Sequence, residues 1–513
     1  MASSRGELGL AAASGLALGA AFVPGVPGIV AWAALVPLLL ALGRRLERGR
    51  GSCFALGYTA GLAHFLVGTH WIALLSDVAL TIGWLKYLGW LLASLYLALY
   101  WGLAAWAAGW LARRSGVAVA WTFAPAMLLV EEARGSGELG FPWFQPGYTQ
   151  GALLPALQLA SLGSVTLVTL WLLLVNGAAA RAWRLRTPRS LGLGVALLLV
   201  PLAWGALELR SRRSPEGPVV ALVQGDVPGE IKWSGKHAAQ ILATFVSLTD
   251  SAARAVPPRL VIWPETATGT YLRRTPEQSI QVARLAARIG APVVMGFAHW
   301  SYGADGRPVV WNAAGAWNPD GSLSPVYAKR HLVPFGERVP FQRWFPALGK
   351  LDLGQAEWRP GTGPVLLPGP AGDSLATLIC FESIFPDLAR RDVRSGARLL
   401  VNITNDEWFG NGAALRQHAA MAPFRAVEHH VPLLRCANTG ITEVIDAWGA
   451  VTARLPVFTA RVLVARLPAA GARTLFTRAG DWPGALAALA ALALAIAPWR
   501  ARRARASAPP PAL

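Results

Sequence analysis

Three short segments each place a group capable of acyl chemistry at the end of an apolar run. They are Leu260-Val261-Ile262-Trp263-Pro264-Glu265, Tyr327-Ala328-Lys329-Arg330-His331-Leu332-Val333-Pro334-Phe335-Gly336-Glu337 and Leu378-Ile379-Cys380-Phe381-Glu382. A carboxylate, an ammonium and a thiol are the parts that thiol acyl chemistry needs. The carboxylate takes the thiol proton and the thiolate attacks a carbonyl carbon. The cation stabilises the oxyanion that develops, and an ammonium nearby also favours thiolate over thiol. Each part has an ordinary reading by itself: a buried apolar thiol, a helix cap for Glu265, a surface ion pair for Lys329. Together these readings lose force, because a carboxylate directly after Val-Ile-Trp-Pro is out of place on a solvated face. Cys436, in Leu434-Arg435-Cys436-Ala437-Asn438, is the rival nucleophile. It sits mid-strand without an acidic neighbour and reads as core, and Cys53, at the edge of an apolar span, reads as structural. Three cysteines make no disulfide framework and show no zinc-type spacing, so neither a metal nor a cofactor is expected.

The elements that must hold these groups alternate between apolar, β-rich runs and amphipathic patterns. Strands are expected near 218–226, 259–264, 291–298, 309–317, 375–380, 398–404 and 432–446, and helices near 237–255, 276–289 and 413–430. This alternation predicts an α/β sandwich over about 214–480, long enough to enclose its own core.

The rest of the chain has another character. Of 513 residues 54% are hydrophobic and only 15% charged, against about 25% charged in soluble proteins, and the mean hydropathy is +0.40. A net charge of +19 taken alone suggests nucleic acid. The arginines instead cluster in short runs between apolar segments, which is how membrane proteins distribute positive charge, so no nucleic-acid partner is expected. Apolar runs suited to crossing about 30 Å of hydrocarbon lie near 8–24, 27–43, 53–75, 83–111, 117–133, 155–180, 190–208 and 483–499. Pro24-Gly25-Val26-Pro27 divides the first two, which could also be one broken helix. With the N-terminus inside, eight spans put Arg44/45/48/50, Arg113/114, Arg181/184/186/189 and Arg500/502/503/505 on the cytoplasmic side. The loops near 76–82 and 134–154 carry almost no positive charge and lie outside, as does the 214–480 block. The expected organisation is therefore 1–213 as about seven transmembrane helices, 214–480 as an extracytoplasmic catalytic domain, and 481–513 as a final span with a basic tail.

In order and spacing, the segments carrying Trp-Pro-Glu, Lys-x-His-Leu-Val-Pro-Phe-Gly-Glu and Ile-Cys-Phe-Glu resemble the Glu-Lys-Cys triad of the nitrilase superfamily. With spans on both sides, the chain is most similar to its membrane-embedded members, the apolipoprotein N-acyltransferases. Phe141-Pro142-Trp143-Phe144-Gln145-Pro146-Gly147-Tyr148, Gln224-Gly225, Asn405-Asp406-Glu407-Trp408-Phe409-Gly410 and Asn438-Thr439-Gly440-Ile441-Thr442 fit that family as well. The resemblance implies a multi-span helical membrane domain joined to an αββα nitrilase-like sandwich, in a bacterial inner membrane. It implies acyl transfer from a phospholipid, through a Cys380 thioester, to the N-terminal amine of a diacylglyceryl-cysteine apolipoprotein. Glu265 is then the base and Lys329 the oxyanion partner, with Glu337 and Glu382 orienting Lys329 or the amine. Trp233, Phe381, Trp143, Tyr148 and Asn405 are implied on the substrate side, the aromatic outer loop forming a wall or entry of the lipid cleft. Phe381 stands where many members have Tyr, and Glu407 replaces a small or hydroxyl residue.

Both substrates carry acyl chains whose withdrawal from the bilayer costs about 0.8 kcal/mol per CH₂, so a site held against lipid suits them. A membrane-tethered amidase using water as second nucleophile shares the triad, but eight spans and an aromatic loop exceed what an anchor requires. A non-catalytic scaffold on the same fold is at odds with an intact Glu265, Lys329 and Cys380. A transporter is at odds with spans that lack paired intramembrane charges.

Overall fold

The structure is a computed structural model describing residues 4–49, 51–75, 83–212, 216–303, 306–342, 344–345, 347–348 and 358–506, with side chains through 497. The chain forms two compact units, one of residues 1–73, 87–206 and 481–513, the other of 74–86 and 207–480.

The first unit is helical. Among the described residues, four helices are long and apolar enough to cross a membrane: Gly28–Glu47, Leu85–Ser115, Ala160–Leu185 and Pro188–Ser211. Ser4–Ala20, Phe54–Gly68 and Val119–Arg134 have 17, 15 and 16 residues, short of the roughly 20 that span hydrocarbon. The last helix, Trp482–Ala506, has 25 residues, of which Trp482–Ala497 is the apolar part. Eight helical segments lie at the eight expected spans, four of them both long and apolar enough to cross. The first two segments are separate. The helix ends at Ala20, and the chain turns through Gly25 at φ +91° before Pro27 and Gly28 open the next; prolines at both sides of the turn cannot continue a helix. Ser4–Ala20 and Phe54–Gly68 approach so closely at Gly15 that an added Cβ would lie 2.0 Å from the Ala60 carbonyl oxygen, a spacing only glycine permits. The expected outer loop at 76–82 lies outside the described residues. The other, after Arg134, folds inward: Arg134 pairs with Glu131 and donates to the Phe141 carbonyl, and Gln150 donates to Gly28 O at 2.9 Å.

The second unit is a four-layer sandwich. One sheet has the order β12-β1-β2-β3-β4-β5, built from β1 (Val219–Gln224), β2 (Leu260–Ile262), β3 (Val293–Tyr302), β4 (Pro308–Trp317), β5 (Tyr327–Ala328) and β12 (Arg461–Arg466). The other runs β11-β10-β9-β8-β7-β6, from β6 (Leu366–Pro368), β7 (Ser374–Ile379), β8 (Leu399–Thr404), β9 (Leu433–Ala437), β10 (Glu443–Ile445) and β11 (Val451–Arg454). Their inner faces meet in one apolar core, in which Val220, Leu222 and Ile262 pack with Ile379, Val401 and Leu434. The outer face of the first sheet is covered by Ala238–Ala255 and Pro276–Ile289, through Phe245 and Leu285. Pro386–Arg394 and Ala413–His429 cover the second, through Val393 and Ala426. Strands buried on both sides read as unbroken apolar runs, which is why β1, β2, β7 and β8 are legible in sequence.

Two expectations change. The strand expected over 432–446 is two antiparallel strands, Glu443 facing Arg435, joined by a turn at Asn438-Thr439-Gly440; this is a turn-forming sequence. The charge-rich helix Pro386–Arg394 and the edge strand β12, which pairs antiparallel with β1, were not expected, although β12 holds the apolar run Val462-Leu463-Val464-Ala465.

Candidate active site

Parallel strands β1 and β2 in one sheet, and β7, β8 and β9 in the other, bring their carboxyl ends to the same end of the sandwich. Ligands in α/β sheets gather at such ends. Glu265 lies three residues past β2, Cys380 directly after β7, Asn405 directly after β8, and Lys329 directly after β5. The structure therefore brings all three expected catalytic groups together.

Glu265 is buried and held at both oxygens. Oε1 accepts from Asn312 Nδ2 at 2.7 Å and Oε2 from the Asn405 backbone N–H at 2.9 Å. The Lys329 ammonium stands 3.8 Å from Glu265 Oε1 and 2.8 Å from Glu337 Oε2. Glu337 is tied in turn to Asn312 Nδ2 at 2.9 Å and to the Val333 N–H at 2.9 Å. Burial works against the charge on Lys329, but Glu337 and Glu265 outweigh it and hold the ammonium well above the ordinary lysine range. Glu337 is thus the nearer of the two carboxylates paired with the Lys329 ammonium.

Cys380 leaves β7 in a left-handed conformation, φ +52°. A non-glycine residue held there carries strain that the surroundings must support, and the residue is partly buried just past the end of the sheet. Burial and the charge of Glu265 push the thiol above its ordinary range, and the Lys329 ammonium only partly offsets this. The expectation that an ammonium would favour thiolate is overridden at rest, because removing the thiol from water penalises the ion more than one cation restores it. A thiol held in its neutral form would need a base before it could act as a nucleophile, and Glu265 is a carboxylate close enough to raise it.

Glu382 does not reach the amine of Lys329. It is fully buried and accepts from the Tyr327 hydroxyl at 2.8 Å and from the backbone N–H groups of Arg330, His331 and Ile379 at 2.6, 3.2 and 2.8 Å. It fastens the Lys329 segment to the strand that ends at Cys380. Phe381 is buried against Phe385, with ring centroids 5.3 Å apart, and Asn405 acts through its main chain on Glu265. Trp233 is 49% exposed and follows the turn Gly229–Lys232. That turn is anchored twice: Glu407 accepts the Gly229 N–H, and buried Lys232 donates to the Glu265 carbonyl at 3.1 Å. Glu407, which had no assignable purpose in sequence, is a backbone anchor for the Trp233 segment. Trp143 and Tyr148 are built into the helical unit instead of lining an open aromatic wall. Trp143 packs 5.7 Å from Trp71, and Phe144 5.2 Å from Phe22; the inward fold of the loop accounts for the difference. Cys436 is fully buried between the sheets, its thiol 3.4 Å from the Ile262 carbonyl.

Sequence reasoning gave no role to Asn312, Tyr327, Thr404, Asp406, His418 or Arg435, all buried. One signal was available: Asn312 and Arg435 are polar residues inside apolar strands, where only a paired group is stable.

Known families match both units. A family model described as carbon-nitrogen hydrolase matches residues 219–475, and one described as the apolipoprotein N-acyltransferase N-terminal domain matches 14–178. A Geobacter metallireducens apolipoprotein N-acyltransferase is 36% identical over 491 residues, covering 92% of this chain and 91% of that protein. The Caulobacter vibrioides apolipoprotein N-acyltransferase is 36% identical over 499 residues, with 92% and 91% coverage. A carbon-nitrogen hydrolase crystal structure from Helicobacter pylori G27 superposes with TM-score 0.37 at 17% identity, covering 48% of this chain and 88% of that one.

Proposed function

Since the chain belongs to the apolipoprotein N-acyltransferase family, we propose that it moves an acyl chain from a phospholipid to the N-terminal amine of a diacylglyceryl-cysteine apolipoprotein through a thioester on Cys380. The observation that carries this reading is the convergence of Glu265, Lys329 and Cys380 at one end of the sandwich, with Lys329 locked by Glu337 at 2.8 Å. In the first half, Glu265 takes the thiol proton as sulfur attacks the ester carbonyl. The Lys329 ammonium faces the oxyanion, a placement worth roughly 10²–10³ in rate where one such donor is removed. Collapse breaks the ester C–O bond, and the leaving lysophospholipid oxygen receives the proton from Glu265. In the second half the neutral α-amine attacks the thioester, Glu265 accepts a proton from nitrogen, and the C–S bond breaks. The proton then returns to sulfur, leaving an amide.

In this reading 1–213 and 481–513 form the membrane part and 214–480 the catalytic domain. The arginine clusters support an extracytoplasmic placement of that domain. Trp233, exposed on an anchored turn, supports a substrate-side role for that segment.

The acceptor half is tested by offering the purified protein phospholipid and a diacylglyceryl-cysteine peptide. The expected product is a peptide heavier by one acyl chain, resistant to hydroxylamine and absent with Cys380→Ala. Free fatty acid at the same rate with and without peptide would instead make the protein a hydrolase.

A further inference from the structure

Cys380 is held by its main chain as well as faced by charges. Three side chains donate to its carbonyl oxygen: His418 Nε2 at 3.1 Å, Ser383 Oγ at 3.1 Å and Asn402 Nδ2 at 3.3 Å. A carbonyl can only accept, so His418 Nε2 carries a hydrogen. The three donors are not equivalent. Ser383 lies on the same short turn, Cys380–Ile384, and travels with Cys380. Asn402 has the longest of the three bonds and shares its amide with the Leu378 carbonyl at 3.0 Å. His418 reaches in from the separate helix Ala413–His429 and is fully buried.

The imidazole is itself fixed. Its Nδ1 stands 3.2 Å from Asp406 Oδ1 and 3.0 Å from Arg435 Nη2. Asp406 and Arg435 form a fully buried ion pair at 2.8 Å. Asp406 also accepts the Thr404 hydroxyl at 2.9 Å, and Arg435 donates to the Ile441 carbonyl. Base and nucleophile thereby share one support. Just past β8, the Asn405 N–H holds Glu265 Oε2 at 2.9 Å. The next residue, Asp406, holds His418, which holds the Cys380 peptide. Two adjacent residues thus set Glu265 and Cys380 relative to each other. Cys380 keeps φ +52°, a region non-glycine residues seldom occupy, and its peptide resists rotation while the oxygen is held.

We propose that His418 is a positioning residue for the acylation of Cys380, its Nε2 hydrogen locking the Cys380 peptide while Nδ1 ties that peptide to the residues that also hold Glu265. No proton or atom of His418 is transferred, and the proton that leaves sulfur goes to Glu265. The contribution is geometric, and a misplacement of about 1 Å at reacting atoms is enough to cost about 10²-fold in rate. The inference rests on Cys380 as the nucleophile and not on the identity of acyl donor or acceptor.

Asparagine and glutamine separate the two ring nitrogens. An asparagine amide reaches the Nδ1 position and can serve the ion pair, whereas a glutamine amide, one bond longer, reaches the Nε2 position and can donate to the carbonyl. Wild type, His418→Asn and His418→Gln are compared as full-length, detergent-purified proteins, with Cys380→Ala as the blank. The substrate is a p-nitrophenyl ester, whose nitrophenolate burst reads acylation of Cys380 without phospholipid. Melting curves, with iodoacetamide labelling of the Cys380 peptide followed by mass against pH, identify the variants that are folded with a reactive thiol. His418→Asn should acylate about tenfold or more slowly at saturation, with the half-saturating ester concentration unchanged, and His418→Gln should stay within about threefold of wild type. An imidazole that only supports the ion pair predicts the reverse order. The proposal is overturned by a folded asparagine variant that keeps the wild-type burst rate, by a folded glutamine variant slowed as much as tenfold, or by failure of both to fold. If only one folds, its rate decides. A wild type without a burst would overturn Cys380 as nucleophile and the proposal with it. Wild-type protein acylated by the nitrophenyl ester but not by phospholipid would count against the proposed acyl transfer and leave the His418 result standing.

Discussion

Cys380 stands between two walls of buried charge, and they differ in balance. The wall on the β2–β5 side has two carboxylates, Glu265 and Glu337, sharing one ammonium, Lys329. The wall on the β8–β9 side matches the Asp406 carboxylate with the Arg435 guanidinium at 2.8 Å, and adds His418 and Thr404. Burial would raise Asp406, but Arg435 and His418 outweigh it and hold that carboxyl below the usual range. A proton leaving sulfur therefore has one acceptor side. In the proposed mechanism the uneven wall exchanges charge with the substrate, while the even wall keeps its charge and supplies fixed dipoles, the arrangement that electrostatic catalysis requires.

Substitutions on the two walls should consequently differ in kind. Glu265→Gln should give the largest loss, with acyl transfer down by about 10²–10⁴. Because the Glu265 charge helps raise the thiol, the labelling midpoint of Cys380 should fall in the same variant; a midpoint that rises would break the assignment of this wall. Lys329→Met should lower transfer by about 10²–10³ and move the midpoint upward, as labelling against pH will read. Arg435→Met belongs to the even wall and should appear as stability, since removing one partner of a buried pair costs about 3–5 kcal/mol. The sign with pH is fixed. Asp406 is depressed in the folded state, so its contribution is present above the unfolded carboxylate pKa, near 3.9, and is lost as pH falls through the lower folded value. Melting curves should show that acid-dependent loss in wild type and little of it in Arg435→Met. Glu407→Ala, which frees only the Gly229 N–H, should be smallest, about 1 kcal/mol or less, seen as a raised KM for the lipid donor with kcat nearly kept.

The two walls were unequally legible in the sequence. Glu265, Lys329, Glu337 and Cys380 each end or follow an apolar run, so a local pattern announces them. Asp406, His418 and Arg435 come from a turn, a helix and a strand with no shared local pattern, and their pairing exists only after β8 and β9 lie side by side. The inner strands were readable because they are largely apolar, whereas Pro386–Arg394 was not, its charged residues diluting the pattern. The aromatic loop misled for a related reason. Composition alone suits Phe141, Trp143, Phe144 and Tyr148 to a membrane interface, but the Arg134 contacts that turn the loop inward depend on a tertiary arrangement.

The central claim is a thioester on Cys380, and one measurement addresses it directly. Purified protein is incubated with phospholipid without acceptor, quenched in acid, and the Cys380 peptide is weighed. The account predicts one acyl chain on Cys380, removed by hydroxylamine, released as amide product on addition of a diacylglyceryl peptide, and missing in Glu265→Gln over the same interval. An unmodified Cys380 peptide beside consumed phospholipid, or an acyl group found on Cys436 instead, would contradict it.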